Sequence, residues 1–371
     1  MSDSVSRNEN KNIASGSVLG VLNKLKSFTS HISMPTIIIG GFWVLILLLG
    51  TINGLPLPEM LSDGIRRFGR WGLLTLAMVP AIQSGVGPNF ALPIGIVCGL
   101  LGQVLAIVLG FTGLGWLVAS ACLSLVFAGI TGYGYGRLMN SVKGSEMAIA
   151  TYTGFSITMF FSLLWLVLPF RDPRITWPLG GGSGLRQTVQ LDLFNANFIL
   201  DNFLSFKIFG VLIPTGMILV FAAGCVLVWL FMRSKMGIAI SAGGSNPMFA
   251  QASGLNVDKG RIIANVISTQ LGAVGILIYA QSFGFSQFYD APLMMAFPAV
   301  AAVLIGGASV KRARILHVII GTLIFQGLMA TSLPVANELF AGTDLSETLR
   351  MVIQNGIILY ALMQAGGGKK K

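Results

Sequence analysis

Residues 34–54 read MPTIIIGGFWVLILLLGTING and contain no Asp, Glu, Lys or Arg. A helix of about 20 apolar residues spans the hydrocarbon core of a bilayer, whereas a strand of an outer-membrane barrel needs only about 10. This stretch therefore predicts a transmembrane helix. Similar runs follow near residues 71–89, 91–111, 113–132, 147–170, 208–232, 262–283, 292–308, 315–336 and 349–365. The predicted fold class is an all-α polytopic membrane protein with about ten transmembrane helices.

The composition of the whole chain agrees with this fold class. Of its 371 residues, 54% are hydrophobic and 10% are charged, whereas soluble domains carry about 25% charged residues. The net charge is +11, and alternate sides of the predicted spans hold 16 and 8 of the 24 Lys and Arg residues. Because Lys and Arg concentrate in cytoplasmic loops, both termini are predicted to be cytoplasmic. The excess of basic residues therefore reflects topology and does not indicate nucleic acid as a partner.

The predicted spans divide the chain into one transmembrane domain and two tails. The domain comprises residues 34–366, between cytoplasmic tails at residues 1–33 and 367–371. Residues 171–207 form a long outer loop, and residues 233–261 form a cytoplasmic loop between the sixth and seventh spans. The second span is broken by proline, glycine and polar residues, which a bilayer tolerates only where protein or water surrounds them.

Charged side chains are predicted to lie outside the spans or at their boundaries. Arg66, Arg67 and Arg70 are assigned to the loop before the second span. Ion-coupled transporters usually hold an ionisable group within the bilayer, so this pattern argues against that class and suggests an uncharged solute. The chain has no phosphate loop of the GxxxxGK(S/T) type, no nucleophile with an adjacent base and only two histidines. No catalytic residue, metal site or cofactor is predicted.

The cytoplasmic loop contains the pattern of a short capped helix. Asn246 can accept a backbone hydrogen bond in the first turn, and Pro247 suits the first helical position. Gly254 can adopt the left-handed conformation that ends a helix. Met248, Phe249 and Ala252 would give the helix an apolar side. Because so short a helix is not stable alone in water, it must rest on the spans or on a partner protein, and an ordinary interfacial helix without a partner remains the alternative.

This loop resembles the cytoplasmic signature of the ribose and galactose type permeases of ABC importers, a family that also contains nucleoside and branched-chain amino acid permeases. The matching positions are Gly237, Ala242, Gly244, Asn246, Pro247, Ala250, Ser253, Gly254, Asn256 and Val257. A second matching segment covers residues 301–310, and a looser one covers residues 210–215. The likeness extends over most of the chain from about residue 70 onward.

The resemblance implies a fold like that of the vitamin-importing ABC permeases, with an inverted pseudo-repeat, in the bacterial inner membrane. It implies a cytoplasmic ABC ATPase as partner, which alone binds ATP and Mg, so that no cofactor is expected here. A second permease chain, identical or paralogous, and an extracytoplasmic substrate-binding protein are the other implied partners besides the lipid bilayer. The residues implied in coupling to the ATPase are Asn246, Pro247, Met248, Phe249, Ala250, Ser253 and Gly254.

Two kinds of solute compete. A monosaccharide is favoured by the family, but sugar permeases commonly hold an acid in the broken second span, where this chain has residues Ser84–Asn89. A nucleoside-like or vitamin-like heterocycle is favoured by the missing carboxylate and by the 24 phenylalanines available for stacking. A self-contained secondary transporter or facilitator is the alternative class, and a membrane-embedded enzyme lacks any acid/base pair.

Polar side chains within the spans are candidates for lining the solute pathway. Asn265 and Thr269 lie four residues apart and share one helical face. The alternative role for such side chains is hydrogen bonding between helices. The predicted pathway residues are Gln83, Ser84, Asn89, Asn265, Ser268, Thr269 and Gln270, with Gln326 and Gln354 as weaker candidates.

Overall fold

The computed structural model describes residues 33–170, 172–177, 184–339 and 345–366. The predicted tails, apart from Ser33, and the glycine-rich part of the outer loop lie outside the described residues. Within the described part of the chain, the helices are α1 Met34–Ile52, α2 Leu57–Leu76, α3 Met78–Gln83, α4 Leu92–Val108, α5 Gly113–Ser141, α6 Glu146–Val167, α7 Ile199–Asn202, α8 Thr215–Arg233, α9 Lys235–Ser245, α10 Pro247–Ala252, α11 Val257–Phe283, α12 Ala291–Ile305, α13 Ile315–Leu339 and α14 Leu345–Gly366.

Six of these helices are long and apolar enough to cross a membrane by length and composition, and they are α1, α5, α6, α8, α11 and α13. Two shorter apolar helices, α4 and α12, lie between them. Helix α6 leaves large apolar side chains on the outside of the bundle, with Leu163 65% and Val167 74% exposed. A surface of this kind suits lipid or another hydrophobic partner. The chain is therefore a mostly helical, multi-span membrane protein, as the composition predicts.

The second predicted span differs from the structure. The hydropathy pattern places it at residues 71–89, but α2 already begins at Leu57 and is followed by the short helix α3. The assignment of Arg66, Arg67 and Arg70 to a loop is wrong, because all three lie within α2. The hydropathy pattern fails here because α2 alternates arginines with buried small residues such as Gly64 and Gly69. The small residues allow neighbouring helices to approach, so the helix packs without a continuous apolar run.

Helix α11 lies at the centre of the packing and contacts α5, α4 and α2. Glycines permit the close approach: a Cβ on Gly102 of α4 would lie 2.8 Å from the Ser120 carbonyl oxygen of α5. Helix α13 packs against α2, α1 and α12. Since α2 contacts both α11 and α13, it joins the two groups of helices.

Short strands cover one end of the bundle. Strand β1, Thr188–Gln190, pairs antiparallel with β4, Phe285–Gln287, with Val189 opposite Ser286. Strands β2, Phe206–Ile208, and β3, Val211–Ile213, form a hairpin. The hydroxyl of Ser62 on α2 accepts a hydrogen bond of 2.8 Å from the Leu212 N–H. The chain between α6 and α8 is thus attached to α2 through Leu212 and to the segment after α11 through β1.

Candidate functional site

The cytoplasmic loop folds as two consecutive helices, α9 and α10. Asn246 separates them, and its Oδ1 accepts a hydrogen bond of 3.1 Å from the Phe249 N–H. Pro247 occupies the first turn of α10. Gly254 has a φ of +78°, which lies in the left-handed region, and Ser253 is the capping residue at the carboxyl end. The capped short helix that the local sequence predicts is therefore present.

Helix α10 has one buried residue and an exposed apolar surface. Ala250 is 1% exposed, whereas Met248 is 82% and Phe249 is 68% exposed. The Ala250 carbonyl accepts a 3.0 Å hydrogen bond from the Leu255 N–H, just before α11 begins. The helix therefore rests on the bundle through Ala250 and presents Met248 and Phe249 away from it.

The last turn of α9 packs against the break that follows α3. A Cβ on Gly244 would lie 2.7 Å from the Gly85 nitrogen and 2.8 Å from the Ser84 carbonyl carbon. Such distances are shorter than real Cβ contacts, so only glycine fits at this position. Gly85 itself has a φ of +79°. The two segments are thus joined backbone to backbone, three residues before the start of α10.

Two of the predicted pathway residues join helices above this break. Asn89 is 1% exposed and Ser268 is fully buried. The Asn89 Nδ2 donates a 2.8 Å hydrogen bond to the Ser268 Oγ, and that hydroxyl donates to the Ala77 carbonyl at 2.7 Å. Tyr135 donates to the Asn89 Oδ1 at 3.2 Å. These bonds tie the broken second span to α11 and α5.

The other predicted pathway residues also bond to backbone carbonyls. Asn265 donates to the Arg261 carbonyl at 2.9 Å, and Thr269 donates to the Asn265 carbonyl at 2.8 Å, so the pair shares one face as expected. Ser84 donates to Ala81, Gln83 to Ala313 and Gln270 to Leu125. The contacts in this structure therefore match the alternative role, which is hydrogen bonding within and between helices.

A cavity of about 530 Å³ lies elsewhere, among α2, α11, α12, α13 and α14. The weaker candidates Gln326 and Gln354 line it, whereas the seven principal pathway candidates do not. Its charged lining, within the described part of the chain, consists of Arg67, Arg70, Glu347 and Arg350. These residues were not predicted as site residues, because the arginines were assigned to loops and span boundaries. The three-residue spacing of Arg67 and Arg70 could have indicated that these two share one helical face, but nothing in the sequence places Arg350 beside them.

Aromatic rings form one wall of the cavity. Trp71 and Tyr279 meet edge to face, with ring centroids 5.6 Å apart. Tyr279 and Phe283 follow at 5.3 Å. The guanidinium of Arg70 lies 5.7 Å from the Phe283 ring centroid and donates a 2.8 Å hydrogen bond to Ser282. The cavity thus combines aromatic surface with hydrogen-bond donors, as small-molecule sites do.

Asp201 lies next to the cavity on the short helix α7. It is 4% exposed, and its Oδ1 accepts a 2.7 Å hydrogen bond from Ser282 and lies 3.6 Å from the Arg66 Nε. Burial raises the pKa of the Asp201 carboxyl, and the Ser282 hydrogen bond and the charges of Arg70 and Arg66 oppose this rise. The carboxyl and its partners fix the arginine-bearing part of α2 against α11.

The cavity and α10 lie at opposite ends of α11. Val257 begins α11 a few residues after α10, and Phe283 at its other end lines the cavity. Helices rise 1.5 Å per residue, so the two features are separated by roughly 40 Å along α11. An ion pair between Arg261 and Glu146, with 2.5 Å between Nη2 and Oε1, holds the end near α10 against α6.

The chain matches a known protein family over most of its length. The pattern of the family described as the branched-chain amino acid transport system / permease component matches residues 60–362. The chain belongs to this family. The resemblance drawn from the cytoplasmic loop is therefore confirmed.

Two curated relatives of this permease have described roles. The galactofuranose transporter permease protein of Escherichia coli (strain K12) is 24% identical over 77% of this chain and 74% of the relative. The nucleoside ABC transporter permease protein of Lactococcus lactis subsp. cremoris (strain MG1363) is 23% identical over 62% of this chain and 65% of the relative. No solved structure gives a significant match to the chain.

Family membership establishes the role of the permease at a coarse level. It is the translocation component of an ABC transporter and not a catalytic subunit. Its apolar helices and its family place it in the bacterial inner membrane as a multi-pass protein. The family also implies an ATPase and a substrate-binding protein as partners.

Proposed function

We propose that this permease moves a small polar solute into the cytoplasm, driven by a separate ABC ATPase that docks on α10. ATP and Mg belong to that ATPase, and the permease itself needs no cofactor. The observation that carries the proposal is the exposure of Met248 and Phe249 on a helix that is capped by Asn246 and seated through Ala250. A capped helix with an exposed aromatic side chain suits insertion into a groove of a partner protein.

Closure of the ATPase would reach the spans through the contact between Gly244 and Gly85. Both backbones are in van der Waals contact, so α9 cannot move toward the break without displacing the residues after α3. The Asn89 and Ser268 bonds carry this displacement on to α11. The segments displaced in this way are α11 and the break at the end of α3. They carry the predicted pathway residues Gln83, Ser84, Asn89, Asn265, Ser268, Thr269 and Gln270.

The topology that we propose has ten spans, with both termini in the cytoplasm. The distribution of Lys and Arg supports this orientation, and it puts α10 on the cytoplasmic side and the cavity on the outer side. A second permease chain, identical or paralogous, completes the transport route. The external substrate-binding protein delivers the solute to the outer side.

A monosaccharide is the favoured solute, and a nucleoside-like or vitamin-like compound is the alternative. The galactofuranose relative supports the first and the nucleoside relative supports the second. The expectation of an uncharged solute rested on a helix bundle without charged side chains. Arg66, Arg67 and Arg70 lie within α2, which packs against α11 and α13, so the bundle does carry charged side chains and a charged solute becomes possible. Family membership decides against a self-contained secondary transporter.

The docking proposal is tested by co-purification of the permease with its ATPase. Phe249→Asp places a charge on the exposed face of α10 and should abolish co-purification. Phe209→Asp is a matched control, because Phe209 is 97% exposed in the β2–β3 hairpin, at the opposite end of α8. Loss of the ATPase with both variants, or with neither, contradicts docking on α10.

A further inference from the structure

The described residues that line the cavity carry more basic than acidic side chains. Among the described residues, three arginines and one acid line it: Arg67, Arg70, Arg350 and Glu347. The Glu347 oxygens are already bonded to Arg350, at 2.5 and 2.9 Å. No carboxylate of the described residues lies within 4 Å of the Arg67 guanidinium. Like charges that share a site of low dielectric repel each other, so a bound anion would stabilise this arrangement.

Neither of the two further acids that act on these arginines supplies that anion. Asp63, one turn before Arg67 on α2, lies beside Arg66, 3.8 Å from its Nη1, and acts on Arg67 only at a longer distance. Asp201 lies behind Ser282, from which it accepts a hydrogen bond, and its closest guanidinium is that of Arg66. It is 4% exposed and is not part of the cavity lining. Arg70 donates through Nε to the same Ser282. Among the residues that the structure describes, no carboxylate lies within 4 Å of the terminal nitrogens of Arg70 or of the Arg67 guanidinium, so both can contact a ligand.

The rest of the lining suits a ring-shaped organic molecule. The wall formed by Trp71, Tyr279 and Phe283 offers aromatic surface for stacking. The amide groups that line the cavity are those of Gln287, Gln326, Gln354 and Asn355, and each can both donate and accept hydrogen bonds. A volume of about 530 Å³ falls within the range of small-molecule sites, which is roughly 300–1,000 Å³.

We infer that this cavity binds a solute that carries a carboxylate or phosphate on a sugar or nucleoside-like ring, with Arg67 as the principal contact of the anionic group. The inference rests on the proposed transport function and specifies its substrate class. Guanidinium groups match carboxylate and phosphate geometry with two parallel hydrogen bonds. The deepest part of the cavity is lined by Gln326, which is 2% exposed, and Phe325, which is 1% exposed. A side chain of a protein docked at the cavity mouth would leave this part unfilled. A free solute fills it.

Paired probes test this inference on the full chain in lipid nanodiscs by isothermal titration calorimetry. Galacturonate is compared with galactose and adenosine monophosphate with adenosine, because each pair differs in the anionic group. The variants are Arg67→Gln, which removes the charge, and Arg67→Lys, which keeps it. Arg137→Gln is the matched control, because Arg137 is exposed on α5 and stacks on Tyr133, away from the cavity.

At least one acid should bind more tightly than its neutral partner. Arg67→Gln should weaken that binding about tenfold or more, which is the range for hydrogen bonds to charged groups. Arg67→Lys should retain most of it, and Arg137→Gln should leave it unchanged. The inference is overturned if the neutral partners bind as tightly as the acids, if neither acid binds at millimolar concentration, or if Arg67→Gln binds the acids as tightly as the parent protein does.

The probes require no ATPase, so this experiment and the Phe249→Asp experiment fail independently. Loss of ATPase binding by both phenylalanine variants would contradict docking on α10 and leave probe binding as measured. Equal binding of charged and neutral probes would contradict the substrate class and leave docking on α10 intact.

Discussion

Gly85 and Gly244 touch through their backbones: a Cβ on Gly85 would lie 2.9 Å from the Gly244 Cα, and one on Gly244 would lie 2.7 Å from the Gly85 nitrogen. Gly244 lies in the last turn of α9, and Gly85 follows α3. Protein interiors are close-packed and transmit small displacements. This contact therefore makes the break in the second span respond to any movement of α9 and α10.

Gly244→Ala should disturb this contact. The added methyl group has no room between the Gly85 nitrogen and the Ser84 carbonyl carbon, so the free energy of unfolding should fall by about 1–3 kcal/mol. Thermal unfolding of the purified protein measures this change. Gly134→Ala is the control, because a Cβ there meets nothing within 4 Å. Equal unfolding temperatures for the two variants would show that the contact is not tight.

Asn246→Ala should weaken ATPase binding without unfolding the bundle. It removes the 3.1 Å hydrogen bond to the Phe249 N–H, and a lost N-cap costs about 1 kcal/mol, or about fivefold in affinity. The affinity of the permease for its ATPase is the measurement. Asn256→Ala removes the equivalent cap of α11 and serves as the control. A larger loss of affinity with Asn256→Ala would argue against α10 as the docking element.

Asn89→Ala should destabilise the protein more than Tyr135→Phe does. The first change leaves the buried hydroxyls of Ser268 and Tyr135 without their amide partner, and an unsatisfied buried group costs about 1–3 kcal/mol. The second change removes only one donor, and the Asn89 Oδ1 keeps its 3.0 Å bond from the Ala91 N–H. Unfolding temperatures compare the two. The reverse order would contradict the central place of Asn89 in these bonds.

Asp201 should make stability depend on pH. Burial raises the pKa of this carboxyl in the folded protein, whereas the unfolded chain has the ordinary value of about 3.9. The folded state therefore holds the proton more tightly than the unfolded chain does. The protonated carboxyl stabilises the folded protein fully below about pH 3.9, and this stabilisation is lost as the pH rises through the raised pKa. The side chain of the Asp201→Asn variant cannot ionise. The unfolding temperature of the variant minus that of the parent protein should therefore increase as the pH rises from about 4 to about 7. If this difference in unfolding temperature stays constant or decreases with pH, the pKa of Asp201 is not raised in the folded protein.

The local chemistry of the loop was enough to predict α10. Asn246, Pro247 and Gly254 act on backbone atoms within a few residues, so their effect is readable without knowledge of the fold. The boundary of α2 was not predictable in this way. Its arginines interrupt the hydropathy pattern, and its packing depends on glycines that meet side chains from distant helices, such as Gly72 against Phe221.

The cavity could not be predicted because it exists only between helices. Arg67 and Arg350 lie far apart in sequence and line one site only after α2 and α14 fold into the same bundle. Conversely, Asn89 and Ser268 were predicted as pathway residues from polarity within apolar runs. That signal does not distinguish a side chain that bonds to another helix from one that faces a cavity, and the structure pairs these two with each other.

We propose that an external ATPase drives this permease through α10. The most direct measurement is solute accumulation in proteoliposomes that contain the permease, its partner chain and its ATPase, supplied with substrate-binding protein. Uptake should require ATP, persist with Phe209→Asp and be lost with Phe249→Asp. Accumulation by the permease alone on a proton or sodium gradient, without nucleotide, would contradict the proposal.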